Sequence, residues 1–454
     1  MEMNHQPDAA MQQTAMQKAA EQKAAERLVD LLRASVSPFH ASAAAAEKLK
    51  EAGYTALDRG EDWRGRIEKG GKYFTVCFGT TLIAFTVGRE FSPSKANSLR
   101  AAAAHIDWPG LRIKPSPEQV SAGCCKLNIE PYGAMIFSSW IDRPLSAAGT
   151  VNYLDENGRA RCVGVDFEQP ILTVPGVAIH LNREINRGVE MKANTDMLPL
   201  LATAADGWSK DGYFLSLLSE KTGIAQKDIL SFDLCVYNAE QPALIGPRGE
   251  FLSSPRLDNI TSVSACIDAL TKAGEGQENG LNAIVLYDHE EIGSKTKQGA
   301  DSVNLTLLFE KLAIALGLDR VQYIDLMMGG TLLSCDVAHA VHPNHPEYAD
   351  PTCQALLGRG AVIKMNNNQR YPTDAGGVGE IAAICRKENI PYQLFMNRAD
   401  LAGGGTIGAY ASSQLGMMTV DCGVPLLSMH SARELMAARD QTALSDLVTA
   451  FLRR

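Results

Sequence analysis

The stretch from Asn282 to Ser294 constrains this chain more than any other. Ala283-Ile284-Val285-Leu286 is a short apolar run, and Asp288-His289-Glu290-Glu291 follows at once, with Gly293 ending regular structure. Such a run predicts a strand buried on both faces of a parallel sheet. Catalytic groups in open α/β sheets collect at the carboxyl ends of strands. Two consecutive carboxylates at such an end cannot point the same way. One can hold a metal while the other reaches a water, which is how a metal-assisted hydrolase divides ligand from general base. An isolated Glu-Glu pair is more often a solvated acidic loop, so the rest of the chain has to decide.

At 454 residues the chain exceeds one ordinary core, and two domains are expected. A net charge of −9 with no basic stripe argues against nucleic acid. No apolar run approaches the roughly 18 residues a membrane helix needs. Met1 to Ala24 is Gln-, Ala- and Met-rich, without a signal-peptide core. The ten cysteines form no C-x-x-C pair, which is cytosolic thiol usage rather than a disulfide framework. The expectation is a cytoplasmic globular enzyme with no membrane or nucleic-acid partner.

In chain order, residues 1–24 read as a flexible N-terminus. Helices are expected over 25–32 and 41–52, then strands at 73–78 and 81–87. Leu99 to Asp107 is small and apolar until it releases His105 and Asp107, two apart and so on one side of a strand. Residues 109–245 change character. Short strand-like pieces at 127–130, 134–137, 149–154 and 161–165, with turns such as Asn157-Gly158, predict a β-rich domain inserted into the first. The α/β pattern returns at Ile229–Tyr237. The catalytic domain is thus expected over 25–108 and 246–454. Asp258 stands just before a helix, where its charge is favoured by the helix dipole. Later strands release Asp336 and lead up to His430, and a final helix is expected from Ala432.

The strand ends therefore carry His105 with Asp107, Asp258, Glu290 with Glu291, Asp336, and His430. Three carboxylates and two imidazoles suit a pair of borderline divalent ions per subunit, zinc first. Two such ions clamp a water, generate hydroxide near neutral pH and polarise a scissile carbonyl. His105 and Asp336 are expected on one ion and Glu291 and His430 on the other, with Asp258 bridging. Glu290 is the base, and Asp107 orients His105.

With these residues in place, the chain resembles the M18 family of metalloaminopeptidases, the aspartyl aminopeptidase group. The matching motifs are His105-Ile106-Asp107-Trp108-Pro109, Ser254-Pro255-Arg256-Leu257-Asp258-Asn259, Asp288 through Ser294, Asp336 through Asn344, and Met429 through Glu434. Trp140-Ile141-Asp142-Arg143 and Asn368-Gln369-Arg370-Tyr371 match as well. The resemblance implies an α/β zinc-peptidase-like catalytic domain with an inserted β-rich dimerisation or lid domain. It implies the same metal and base assignments, peptide substrates, and homo-oligomers that are typically dodecamers. His180 on the insert matches a position that reaches a neighbouring subunit's active site, and Lys364, at the end of the Ala361–Lys364 run, matches a lysine of the pocket for the first substrate side chain. That lysine implies preference for N-terminal Asp or Glu. His289 and Trp108 depart from the family's usual Asn and Ser.

Three alternatives stay open: a di-zinc aminopeptidase preferring neutral residues such as Leu, a related carboxypeptidase or amidohydrolase, and a catalytically silent assembly or cargo shell. The presence of Glu290 beside all five ligands argues against the silent shell. His339 and His342 are candidate partners of Asp336, and Thr406-Ile407-Gly408 could offer backbone N–H groups to a substrate terminus.

Overall fold

The computed structural model describes residues 9–94, 98–204, 211–273 and 278–454, with side chains described from Ala20. Residues 1–8 of the expected flexible N-terminus lie outside that set. From Ala9 the chain is already a helix, Ala9–Ala34, longer than the segment read from sequence. Its Ala, Gln, Lys and Glu content is strongly helix-forming, and Leu28, Leu31 and Leu32 anchor it in the core. Ser37 then caps Pro38–Glu51, its hydroxyl accepting the His40 N–H at 3.3 Å, with Pro38 in the first turn.

A nine-stranded sheet organises the α/β part of the chain. Its strands lie in the order Thr55–Ala56, Lys72–Cys77, Thr81–Val87, Gly280–Tyr287, Ser98–His105, Thr331–Cys335, Met418–Gly423, Ala361–Lys364 and Tyr392–Phe395. The Gly280–Tyr287 strand is buried throughout, as its apolar run demands. The sheet around it is mixed rather than parallel: it pairs parallel with Ser98–His105 and antiparallel with Thr81–Val87. Alternate residues of Ser98–His105 serve opposite faces. Ala102 and Ala104 face Leu257–Ala273 and Asp440–Arg453, while Ala101 and Ala103 face Asn304–Ala315 and Ile407–Leu415. Small side chains there let helices approach both faces closely. Register sets Tyr287 opposite His105, which brings Glu290 and Glu291 to the His105 strand end.

A second, antiparallel six-stranded sheet takes all its strands from residues 110–238. Ile229–Asn238 belongs to it, at its centre, and not to the α/β sheet. The first strand of this insert, Gly110–Ser121, pairs with its last, with Leu111 opposite Val236. The insert closes on its own core of Leu111, Ile129, Trp140, Val151, Phe214 and Val236. Ala243–Ile245, read from sequence as part of the insert, instead pairs with Phe251–Ser254 in a third, five-stranded sheet.

Two local expectations fail. Residues 134–137 are not a strand. Ile136 N donates to the His430 carbonyl at 3.1 Å, and a short 3₁₀ helix, Phe137–Trp140, follows. The final helix is Asp440–Arg453, and Glu434–Ala437 is a strand between Phe251–Ser254 and Pro425–Leu427. Among the described residues no helix is long and apolar enough to cross a membrane.

Candidate metal centre

Five separate segments converge beyond the carboxyl ends of the central strands. His105 ends its strand, Glu290 and Glu291 follow Tyr287, and Asp336 follows Cys335. Asp258 comes from the non-helical first turn of Leu257–Ala273, and His430 from the loop between Pro425–Leu427 and Glu434–Ala437 of the third sheet. His105 Nδ1 lies 3.1 Å from the Asp107 carbonyl, which leaves Nε2 facing Asp258 Oδ1 at 3.3 Å and Asp336 Oδ1 at 3.6 Å. His430 is turned the same way: Nδ1 meets the Ala134 carbonyl at 2.9 Å, and Nε2 faces Asp258 Oδ2 and Glu291 Oε2, both at 3.4 Å. Asp258 therefore offers one oxygen to each histidine's neighbourhood. Carbonyl acceptors on Nδ1 fix the tautomer that leaves Nε2 as a ligand.

The cluster fits divalent cations. His105, Asp258 and Asp336 bring ligand atoms within 4.8 Å of one another, as do Asp258, Glu291 and His430. Asp258 Oδ1 and Glu291 Oε1 are buried and accept no hydrogen bond. A buried carboxylate oxygen without a donor is costly unless a cation meets it. Burial first, and then the charges of Asp258 and Glu290, push the Glu291 carboxyl well above its usual range. Burial works against a charged His430, but its contact with Asp258 lifts it to about 9. Oxygen and imidazole donors together suit zinc among the borderline ions.

Several supports were not legible from strand-end reasoning. The Asp107 carboxylate accepts the backbone N–H of Glu290 at 3.2 Å, that of Glu291 at 3.1 Å and the Tyr132 hydroxyl at 2.6 Å. Asp107 thus shapes the Glu290-Glu291 loop with its carboxylate and meets His105 more closely through its carbonyl. Glu434 accepts the N–H of Asp258 at 3.0 Å and of His430 at 2.9 Å, tying the bridging candidate to the histidine loop. A glutamate four residues past His430 was the only sequence signal for it. Gly423 has to lack a side chain, because a Cβ there would collide with the Asp336 carbonyl.

The outlying candidates are placed as follows. His339 and His342 line a cavity of about 290 Å³ with Phe395 and Asn397. Trp108 lies against the Arg256 guanidinium, 5.5 Å from ring centre to carbon. His289 has a left-handed backbone (φ 63°) and meets Thr296 Oγ1 at 2.9 Å. His180 is exposed on the insert, and none of the cation-type groupings includes it. Lys364, expected in the pocket for the first substrate side chain, is 1% exposed, its Nζ is 2.7 Å from Asp421 Oδ1, and it donates to the Val337 carbonyl at 3.1 Å. A lysine this deep needs a fixed counter-charge, and Asp421 supplies it across the strand pair. Thr406 uses its hydroxyl on the same Asp421.

The family model of the aminopeptidase I zinc metalloproteases (M18) matches residues 31–452. A probable M18 family aminopeptidase 2 of Azotobacter vinelandii is 40% identical over 428 residues, 93% of this chain and 96% of the relative. One of the same description from Clostridium novyi is 38% identical over 417 residues, 91% of this chain and 94% of the relative. Among solved structures, a chain of the cryo-EM structure of the Ape4 and Nbr1 complex superposes with a TM-score of 0.92 at 32% identity, covering 96% of this chain and 86% of that one.

Proposed function

The chain belongs to the M18 family and is a zinc-dependent aminopeptidase, and from that premise we propose that it removes N-terminal Asp or Glu from peptides, using two divalent ions per subunit with Glu290 as general base. The observation that supports the mechanism is the split of Asp258, one oxygen 3.3 Å from His105 Nε2 and the other 3.4 Å from His430 Nε2, an arrangement that suits two ions sharing one carboxylate. His105 and Asp336 would hold one ion, Glu291 and His430 the other. When bound, the pair supplies Lewis acidity, lowering the pKa of a water and polarising the scissile carbonyl.

The protein's own groups do the rest. A Glu290 carboxylate oxygen lies within 4.8 Å of the ligand atoms of His105 and Glu291. Burial first, then the charges of Asp336, Asp107 and Asp258, push its carboxyl up to about 8, against the pull of His105. In its ionised form the Glu290 carboxylate can take the proton of the attacking water and pass it to the leaving amine. Asp107 holds the Glu290 backbone so that the side chain faces the cluster.

Acidic preference is supported by the Lys364 charge close to Asp336 and Tyr371. A neutral preference is the second reading, and what favours it is the Lys364–Asp421 pair, which already uses that charge. Asp-, Glu-, Leu- and Ala-anilides, each with a free and an N-acetylated amine, separate the possibilities. Only the free-amine compounds should turn over, with Asp and Glu ahead. Cleavage of the N-acetylated set would overturn aminopeptidase action, and Leu ahead of Asp would overturn the acidic preference.

A homo-oligomer, dodecameric by the resemblance, with His180 reaching a neighbouring site, is the remaining part of the proposal. Val177, Ile179, Leu181, Ile185 and Val189 are all exposed around His180, Leu181 at 83%. An apolar ribbon of this kind marks a surface that is covered in use. Leu181→Asp should shift light scattering toward smaller species with lower activity, whereas an unchanged mass would remove this loop from the interface.

A further inference from the structure

We propose that Asp421 is a positioning residue that limits the preference for acidic N-termini, because it is the fixed partner with which a substrate carboxylate must compete for Lys364. The inference rests on the aminopeptidase reading above and deepens it.

Lys364 has three N–H donors, and two directions are taken: Asp421 Oδ1 at 2.7 Å and the Val337 carbonyl at 3.1 Å. Its nitrogen also lies 5.0 Å from the centre of the Tyr371 ring. Val337 directly follows the metal-ligand candidate Asp336, so the ammonium is held beside the reacting region without being open to it. An acidic substrate side chain has to use the remaining donor or draw the ammonium away from Asp421.

Asp421 cannot follow. Its Oδ2 accepts from Ser334 Oγ at 2.8 Å and from Thr406 Oγ1, and its backbone N–H donates to Thr373 Oγ1 at 2.8 Å. These partners come from three other segments of the chain. Gly408 packs so closely that a Cβ there would fall 2.7 Å from Ser334 Oγ and 2.8 Å from Asp421 Oδ2. The competitor is thus immobile and fully buried, while the substrate is not. Discrimination becomes a difference between two carboxylates for one cation.

The test compares kcat/KM on Asp-anilide and Ala-anilide for wild type, Asp421→Asn, Lys364→Met and the double variant, with metal content measured on each. Asp421→Asn keeps the shape and removes the competing charge, so the Asp/Ala ratio should rise about tenfold, the scale of one charge-assisted hydrogen bond. The effect should sit in KM for the Asp substrate and vanish in the Lys364→Met background. An unchanged ratio in a folded, metal-loaded Asp421→Asn protein overturns the proposal, as does an equal rise with methionine at 364. If the unpaired buried lysine prevents folding, Thr406→Val is the second variant. It takes a donor from Asp421, strengthens that residue's hold on Lys364, and should lower the ratio; no change there also overturns the proposal. A wild type that cleaves neither anilide overturns the aminopeptidase reading instead.

Discussion

Glu290→Gln is expected to lower kcat by ~10²–10⁴-fold, the usual contribution of a positioned general base, with the zinc content of wild type retained. The amide keeps the size of the carboxylate and the backbone N–H bond to Asp107, so loop and ligands should stay in place. What is lost is the group that accepts a proton. In the proposed assignment neither cation position uses Glu290: beside the shared Asp258, His105 and Asp336 would hold one ion and Glu291 and His430 the other. Turnover near wild type, measured with metal content on the same sample, would remove Glu290 from the chemistry.

Asp258→Ala should do the reverse, emptying the site first and losing activity as the consequence. The oxygens of Asp258 face the two proposed cation positions, and one of them is a buried atom with no hydrogen bond. Losing even an outer partner of a ligand costs ~10–100-fold in metal affinity, so losing the shared carboxylate should exceed that. Elemental analysis after dialysis should find well under two ions per chain, and excess zinc should restore little activity. Two retained ions would show that Asp258 does not bridge.

The two experiments bear on the part of the molecule that was most legible in the sequence. His105, Glu290, Glu291 and Asp336 stand where short apolar runs stop, and a run that short and apolar has few alternatives to a buried strand. Strand ends of one sheet then lie side by side, so residues far apart in the chain can be grouped from the sequence alone. Lys364 shows where that reasoning stops. A lysine at the end of an apolar run reads the same whether it faces substrate or a buried partner, and the partner, Asp421, lies on a neighbouring strand whose register no local pattern encodes. Glu434 and Tyr132 were missed for a related reason: each acts through a single long-range hydrogen bond on a backbone or carboxylate group. The helix expected from Ala432 failed because the pairing of Glu434–Ala437 with Phe251–Ser254 outweighed local helix preference.

The pairing of Leu111 with Val236 carries a consequence for how this chain could be taken apart. The insert interrupts the two strands that must lie together for His105 to meet Glu291, yet its entrance and exit are neighbours in its own sheet. Once folded, it acts as a clip that presents the two halves of the catalytic sheet to each other. Loop closure grows slowly with length, by only about 0.6 kcal/mol per doubling, and a prefolded clip removes most even of that. A short linker in place of residues 110–238 would leave the strand pairing of the nine-stranded sheet geometrically possible, while the Tyr132 hydroxyl and the Ala134 carbonyl that steady Asp107 and His430 would go with the excised piece.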